Sequence, residues 1–129
     1  MRVERTGVIL NVERFDACVA FYRDAFSLPV MFELREGDFR LTCLQFGGAY
    51  LMIESGGVAQ PSGKSVAENA TKLRFNVADI QEAGGSLRAR GIEVSIEHSA
   101  WGAAIHLYDP DGNRIGLRDE TGFRQQVGA

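Results

Sequence analysis

Basic side chains recur at alternate positions in two short segments of the sequence. Lys72 and Arg74 alternate with apolar residues in the first segment, and Arg114 and Arg118 do so in the second. This alternation is typical of a β-strand that buries one face, so the basic residues of each segment share the opposite face. If both faces line one cleft, the cleft is positive although the net charge of the chain is -3. Its guanidinium groups then favour a carboxylate or phosphate ligand.

The arginines of the second segment have an alternative interpretation. Arg118 falls at the end of its predicted strand and is followed by Asp119 and Glu120. A surface ion pair with either carboxylate would hold its side chain in solvent. Arg114 has the same alternative, and the sequence leaves both interpretations open.

The chain contains two histidines and two cysteines. His106 lies on a predicted strand, two residues before Tyr108, and a single strand histidine is more often a packed or rim residue than a metal ligand. His98 lies in the region before Trp101. Cys18 and Cys43 lie in apolar contexts and have no Cys-x-x-Cys spacing, so we expect buried free thiols rather than a disulfide or a zinc site.

Length and composition limit the classes of protein and partner. A chain of 129 residues that is 45% hydrophobic builds one compact domain, residues 1–129, around a sizeable core. The net charge of -3 and the absence of Lys or Arg runs argue against a nucleic-acid partner. No apolar run approaches the roughly 20 residues that span a bilayer, and the N-terminus has no signal-like segment. We therefore expect a cytoplasmic protein that has no membrane partner.

The periodicity of the apolar residues predicts eight strands and two helices. The first helix begins at Asp16, a predicted N-cap, and ends before Pro29. The second helix covers residues 80–89 and is closed by Gly91. A segment rich in Gly, Ser and Ala, residues 56–70, is a linker without regular structure. The predicted strands are residues 7–12, 30–34, 39–46, 49–54, 72–77, 92–97, 103–108 and 114–118.

The second half of this pattern repeats the first. Leu10-Asn11-Val12 corresponds to Phe75-Asn76-Val77, and three strands follow each predicted helix. The repeat predicts two βαβββ modules, residues 5–55 and 71–120, each with a helix over the apolar face of its sheet. A ferredoxin-like α+β domain is the structural alternative, but it does not explain two successive runs of three strands.

One segment of the sequence also carries a family resemblance. Tyr-Asp-Pro-Asp-Gly-Asn-Arg-Ile-Gly-Leu, residues 108–117, resembles the closing hairpin of the vicinal oxygen chelate superfamily. That superfamily includes glyoxalase I, extradiol dioxygenases, fosfomycin-resistance enzymes and bleomycin-resistance proteins. Trp101-Gly102 and Phe21-Tyr22-Arg23-Asp24 are similar to further family features. The resemblance implies an α+β fold in which two paired βαβββ modules form a U-shaped mixed sheet around a cleft, with helices on the outer face.

The resemblance also implies a position for a metal site. The family takes one ligand from each of four strands, typically His or Gln, Glu, His and Glu, and the matching positions here are Gly7, Glu54, Lys72 and Gly116. Only Glu54 carries a side chain that coordinates a divalent ion, because glycine has no donor and an ammonium group repels a cation. We therefore expect no cofactor. A divalent metal held by Glu54 and a relocated histidine is the alternative.

Glu54 and Lys72 are the pair of greatest chemical interest, because the matched positions bring them together where the family holds its metal. One interpretation is a general base, Glu54, beside an electrophilic ammonium group. The other is a structural ion pair in a site that has lost its chemistry. The ligand-binding residues predicted for the cleft are Asn11, Tyr50, Met52, Lys72, Arg74, Trp101, His106 and Arg114.

The function predicted from these features is the binding of a small anionic or aromatic molecule without the usual metal, as in bleomycin-resistance-like proteins. We expect a homodimer, from the resemblance. The alternative function is that of a metal-dependent lyase, isomerase or dioxygenase of the same superfamily with Glu54 as its catalytic residue. A third hypothesis is an interaction module without a ligand.

Overall fold

A computed structural model describes residues 1–128 of the chain. The chain divides into two compact units, unit 1 from Met1 to Pro61 and unit 2 from Ser62 onward. Each unit contains one βαβββ module, which confirms the predicted repeat and excludes the ferredoxin-like alternative. The described part of the chain has no helix long and apolar enough to span a membrane.

Unit 1 is a four-stranded mixed sheet with one helix. Its strand order is β1-β4-β3-β2, with β1 parallel to β4 and the other neighbours antiparallel. The helix continues into a π-helical turn, Phe21–Ala25, and ends before Pro29. The elements are β1 (Gly7–Val12), α1 (Phe15–Ala20), β2 (Val30–Glu36), β3 (Phe39–Phe46) and β4 (Ala49–Ser55).

Unit 2 repeats this topology and adds a third helix. Its strand order is β5-β8-β7-β6, again with one parallel pair, β5 and β8. The elements are β5 (Leu73–Val77), α2 (Ile80–Ala89), β6 (Ile96–Ser99), β7 (Gly102–Tyr108), β8 (Arg114–Asp119) and α3 (Glu120–Val127).

The predicted alternation of buried and more exposed residues is confirmed in β1, β4 and β5, whereas β8 buries Ile115 to Arg118 without interruption. In unit 1, Val12 and Ile53 are fully buried on the face that α1 covers. In unit 2, Ile105 is buried beneath α2, where Gly84 leaves room for its side chain. Because strand side chains alternate, the residues between these buried ones lie on the opposite side of each sheet, away from α1 or α2. We call this side of each sheet its open face. Cys18 and Cys43 are buried free thiols, as expected.

Three local predictions were wrong. Asp16 does not cap α1, which begins at Phe15; it lies in the first turn and pairs with Arg40 at 2.9 Å. Strand β6 begins four residues later than predicted, at Ile96, because the end of α2 binds the preceding segment. There Leu87 accepts from the amide of residue 92, and Arg88 donates to the carbonyl of residue 94. Helix α3 was not predicted.

The linker has no helix or strand, as predicted, but its second half is fixed to unit 2. The amide of Lys64 donates to the carbonyl of Gly112 at 2.9 Å. Its ammonium group donates to Oδ1 of Asn113 at 2.9 Å, and the side-chain amide of Asn69 donates to the same oxygen at 2.9 Å. The second half of the linker is therefore hydrogen bonded to the turn between β7 and β8. Unit 2 begins at Ser62, about nine residues before the predicted module.

Candidate functional site

Three side chains on the open face of unit 2 form a chain of polar contacts. Lys72, the residue before β5, places its Nζ 2.9 Å from Nδ1 of His106 on β7. The other ring nitrogen of His106, Nε2, lies 3.6 Å from a carboxylate oxygen of Glu97 on β6. The strand registers explain why His106 and Glu97 lie close together. Glu97 pairs with Ala104, which is two residues before His106 on β7 and therefore on the same face, and His106 pairs with Gly116. Glu97 was not among the predicted site residues.

Two arginines flank Lys72. Arg74 follows it on β5, and Arg114 lies on the neighbouring strand β8. Gly116 on β8 leaves space for the side chains of Lys72 and Arg74. A Cβ atom at residue 116 would lie 3.1 Å from Cε of Lys72 and 3.2 Å from Nε of Arg74. Burial lowers the pKa of Lys72, and the charges of Arg74 and Arg114 lower it further, although Glu97 acts in the opposite direction.

A cavity of about 470 Å³ opens beside these groups. Arg114 is half-buried in its wall and donates from one terminal nitrogen to the carbonyl of Asn69 at 3.1 Å. The Nε atom of Arg114 is buried and has no hydrogen-bond partner among the described residues. The cavity wall thus combines cations, one carboxylate and apolar surface. Its lining residues are Lys72, Ile92, Glu93, His106, Leu107, Tyr108, Arg114 and Ile115.

Arg118 serves a structural purpose at the other end of the same face. Arg118 is 5% exposed, so the alternative in which its side chain lies in solvent, paired with Asp119 or Glu120, is excluded. One terminal nitrogen donates to Gln126 and the other to the carbonyl of Trp101 at 3.0 Å. The guanidinium group also lies 4.7 Å from the centre of the Trp101 ring. Trp101 therefore packs on Arg118 and does not line the cavity beside Lys72.

Helix α3 explains why Arg118 is buried. Asp119 caps the helix by accepting from Gly122 at 2.7 Å and also accepts from Ala103 on β7 at 2.8 Å. These two backbone bonds lower the pKa of Asp119. Glu120 accepts from Asn76 on β5, so the helix covers the Asn76 and Arg118 end of the open face. Asp119 as N-cap and Gly128 as C-terminal glycine are the sequence signals for this helix.

The remaining predicted site residues lie on the open face of unit 1. The Tyr50 ring occupies the space that a side chain at Gly7 would need. Asn11 donates to the carbonyl of Ser55 at 3.2 Å, and Met52 and Glu54 are half-buried on β4. The structure thus brings together Lys72, Arg74, His106 and Arg114 within unit 2. The approach of Glu54 to Lys72 stays a prediction.

The strand registers also clarify the positions matched to the family's metal ligands. Met52 pairs with Ile9, whereas Gly116 pairs with Arg74, and the repeat makes Ile9 and Arg74 equivalent. Met52 is therefore the unit 1 equivalent of Gly116, and Glu54 lies two residues beyond it. Glycine, lysine and thioether side chains are a poor donor set for a hard divalent ion. Residues 1–128 contain no cluster of three or more His, Cys, Asp or Glu suited to a metal.

Comparison with known proteins establishes the family. The sequence pattern of the Glyoxalase-like domain matches residues 6–120. The chain belongs to the glyoxalase-like domain family. That assignment confirms the vicinal oxygen chelate resemblance found in the closing hairpin. A curated relative of this glyoxalase-like chain is the uncharacterized protein YraH of Bacillus subtilis, 27% identical over 115 residues, covering 82% of this chain and 90% of YraH.

Solved structures share the fold at low sequence identity. Leishmania major glyoxalase I superposes with a TM-score of 0.78 at 16% identity, covering 98% of this chain and 94% of that protein. The fosfomycin resistance protein FosX of Listeria monocytogenes gives a TM-score of 0.74 at 18% identity, covering 98% and 99% of the two chains. That FosX structure is a complex with Mn(II) and a dihydroxypropylphosphonic acid. At these identities the likeness concerns the fold alone.

Proposed function

We propose that this glyoxalase-like protein binds a small anionic molecule on the open face of unit 2 without a resident metal ion. The observation that carries the proposal is that Lys72 and Arg114 line one cavity, with Arg74 next to Lys72, in a protein whose net charge is -3. Cations concentrated in an otherwise acidic protein create a local field that attracts an anion.

The geometry of the cations suits a compact carboxylate. Arg114 lines the cavity, and a guanidinium group forms charge-assisted hydrogen bonds with a carboxylate. Ile92, Leu107 and Tyr108 supply apolar surface for the remainder of the ligand. Glu93, the acidic residue of the wall, disfavours highly charged anions. A monocarboxylate or dicarboxylate of a few carbon atoms fits this balance better than a polyphosphate.

Calorimetric titration with oxalate tests the proposal, because oxalate carries two carboxylates and no other reactive group. We expect saturable binding that weakens about tenfold in Arg114→Gln, the loss of one charge-assisted hydrogen bond. Arg35→Gln is the matched control, since it removes the same charge from an exposed position on β2 of unit 1. Equal affinities in the two variants, or no saturable binding of oxalate or malonate by the wild type, would overturn the anion site.

Elemental measurement of the same protein tests the metal-free part of the proposal. After exposure to nickel, zinc, manganese and ferrous ions and then extensive dialysis, we expect no stoichiometric metal, because Gly7, Lys72 and Gly116 offer no anionic donor. One metal ion per chain that is lost in Glu54→Ala would instead restore the metal-dependent lyase or dioxygenase as the leading function. The homodimer implied by the resemblance stays a prediction.

A further inference from the structure

Lys72 has an unusual partner for a lysine. Its Nζ atom lies 2.9 Å from a ring nitrogen of His106, rather than beside a carboxylate. When the ammonium group donates to Nδ1, the proton of the neutral ring lies on Nε2, which faces Glu97 at 3.6 Å. A carboxylate in this place would fix the ammonium form, whereas an imidazole accepts a proton and releases the amine.

The surroundings of Lys72 favour the neutral amine. Arg74 on its own strand and Arg114 on β8 repel an ammonium group, and partial burial penalises its charge, so the pKa of Lys72 falls. Glu97 on β6 opposes this effect, since its negative charge raises the pKa of Lys72. Glu93 in the cavity wall is the other acidic group nearby. A lowered pKa increases the fraction of Lys72 that is present as the neutral, nucleophilic amine.

The choice of lysine at this position is itself informative. The chain has 14 basic residues, and only Lys64 and Lys72 among them are lysines. The ammonium group of Lys64 is hydrogen bonded to Asn113 in the turn between β7 and β8. An arginine at residue 72 would serve anion binding at least as well, but it could not act as an amine nucleophile. Lys72 is therefore the one lysine of the chain beside the cavity.

We propose that Lys72 forms an imine with the carbonyl carbon of a small 2-oxo carboxylate whose carboxylate group is held by Arg114. This inference rests on the proposed anion site and names its substrate class. The cavity of about 470 Å³ accommodates an oxo acid of a few carbon atoms beside the amine. Arg114 and Lys72 both line it, which places the carboxylate anchor next to the nucleophile.

The reaction balances without a further reactant. The Lys72 ammonium gives one proton to Nδ1 of His106, and the neutral nitrogen adds to the carbonyl carbon. The former carbonyl oxygen takes that proton back from His106, which gives a carbinolamine. The carbon–oxygen bond then breaks as the nitrogen loses a second proton to the departing hydroxyl group. One water molecule leaves, and a protonated imine joins Lys72 to the oxo acid.

Reductive trapping with borohydride tests the proposal directly. Wild-type protein is incubated with pyruvate, reduced, and digested for peptide mass mapping. We expect one reduced adduct per chain, located at Lys72 and lost in Lys72→Arg. Lys64→Arg is the matched control and keeps the adduct, because it changes the other lysine of the chain in the same way. Adducts spread over Lys64 and the N-terminus as well as Lys72 would overturn the proposal.

Two comparisons separate this inference from the anion site. Pyruvamide has the same ketone as pyruvate but no carboxylate, so we expect it to be trapped at least tenfold more slowly at Lys72. Equal trapping of both compounds would leave a reactive amine and overturn the anion site. Binding of oxalate without any trapping of pyruvate would keep the anion site and overturn the imine.

The role of His106 is tested by the pH dependence of the trapping rate. Without the imidazole, the ammonium group of Lys72 must lose its proton to solvent. We therefore expect His106→Gln to trap pyruvate about tenfold more slowly near neutral pH and to recover the wild-type rate in alkaline solution, where the amine is neutral in both proteins. A variant that is equally slow at every pH would mean that His106 only shapes the cavity.

Discussion

The open faces of the two modules carry different side chains at equivalent positions. Lys72 and Arg74 of unit 2 correspond to Gly7 and Ile9 of unit 1, since Asn76 and Asn11 are equivalent in the repeat. On the partner strands, Arg118 pairs with Asn76 as Glu54 pairs with Asn11. The two sheets thus share a register, but the basic positions Lys72 and Arg74 of unit 2 are uncharged residues, Gly7 and Ile9, in unit 1.

The glycines of the two faces show how the difference is accommodated. In unit 1 the glycine is on β1, and the Tyr50 ring of β4 fills the space above Gly7. In unit 2 the glycine is on β8, and Lys72 and Arg74 from the β5 side fill the space above Gly116. The space above a glycine is thus filled by an aromatic ring in unit 1 and by basic side chains in unit 2.

The hairpin turns of the two modules differ in burial and hydrogen bonding, and this difference gives the largest predicted effect. Asp109 is 3% exposed and accepts hydrogen bonds from the amides of Asp111 and Asn113, each at 2.9 Å, and from the side chain of Asn113. We expect Asp109→Ala to lower the free energy of unfolding by about 3 kcal/mol or more, because it leaves buried donors unpaired. Urea denaturation measures the change.

The corresponding turn of unit 1 supplies the control. Gly48 has open space around the position of a Cβ atom, so Gly48→Ala should change the free energy of unfolding by less than about 0.5 kcal/mol. Asp109→Asn retains one acceptor oxygen and should fall between the two. Equal stabilities of Asp109→Ala and Gly48→Ala would show that the buried turn contributes nothing to unit 2.

The equivalent pair Arg118 and Glu54 gives the next largest effect. Removal of the Arg118 side chain breaks its bonds to Gln126 and Trp101 and its contact with the Trp101 ring. We expect Arg118→Ala to cost about 2 kcal/mol and to loosen α3. Glu54→Ala removes a half-buried carboxylate and should cost well under 1 kcal/mol. Hydrogen exchange of the α3 amides distinguishes local opening of α3 from global unfolding. If these amides stay protected in Arg118→Ala, Arg118 does not hold α3 in place.

The fold could be predicted from the sequence because its signals are local. Strand alternation such as Leu73, Phe75 and Val77 needs only the residues themselves and a core to face. The turn at residues 109–113 contains its own hydrogen-bond acceptor in Asp109, so its geometry does not depend on distant residues. Because each element of the first module recurs in the second, the sequence indicates each type of element twice.

The site could be predicted only in part, because it depends on register. Alternation placed Lys72, Arg74 and Arg114 on one side of their strands, and the family resemblance identified that side as a cleft. Glu97 was missed because its approach to His106 depends on the pairing of β6 with β7. The burial of Arg118 was missed because its partner, Gln126, lies in a helix whose own apolar content is small. Contacts between elements are not visible in the periodicity of either element.

The smallest predicted effect is the dependence of stability on pH through Lys72. The pKa of Lys72 in the folded protein lies below its ordinary value of 10.5, so the unfolded chain binds more protons in the range between the two values. The wild type should therefore gain stability relative to Lys72→Met as the pH rises through that range. The gain should stay below about 1 kcal/mol because Lys72 is partly exposed. Urea denaturation of both proteins between about pH 7 and about pH 10 measures it, since the other titrating groups cancel in the difference. A difference that is constant with pH, or that moves in the opposite sense, would mean that the folded protein favours the ammonium form, and His106 would then have no amine to release.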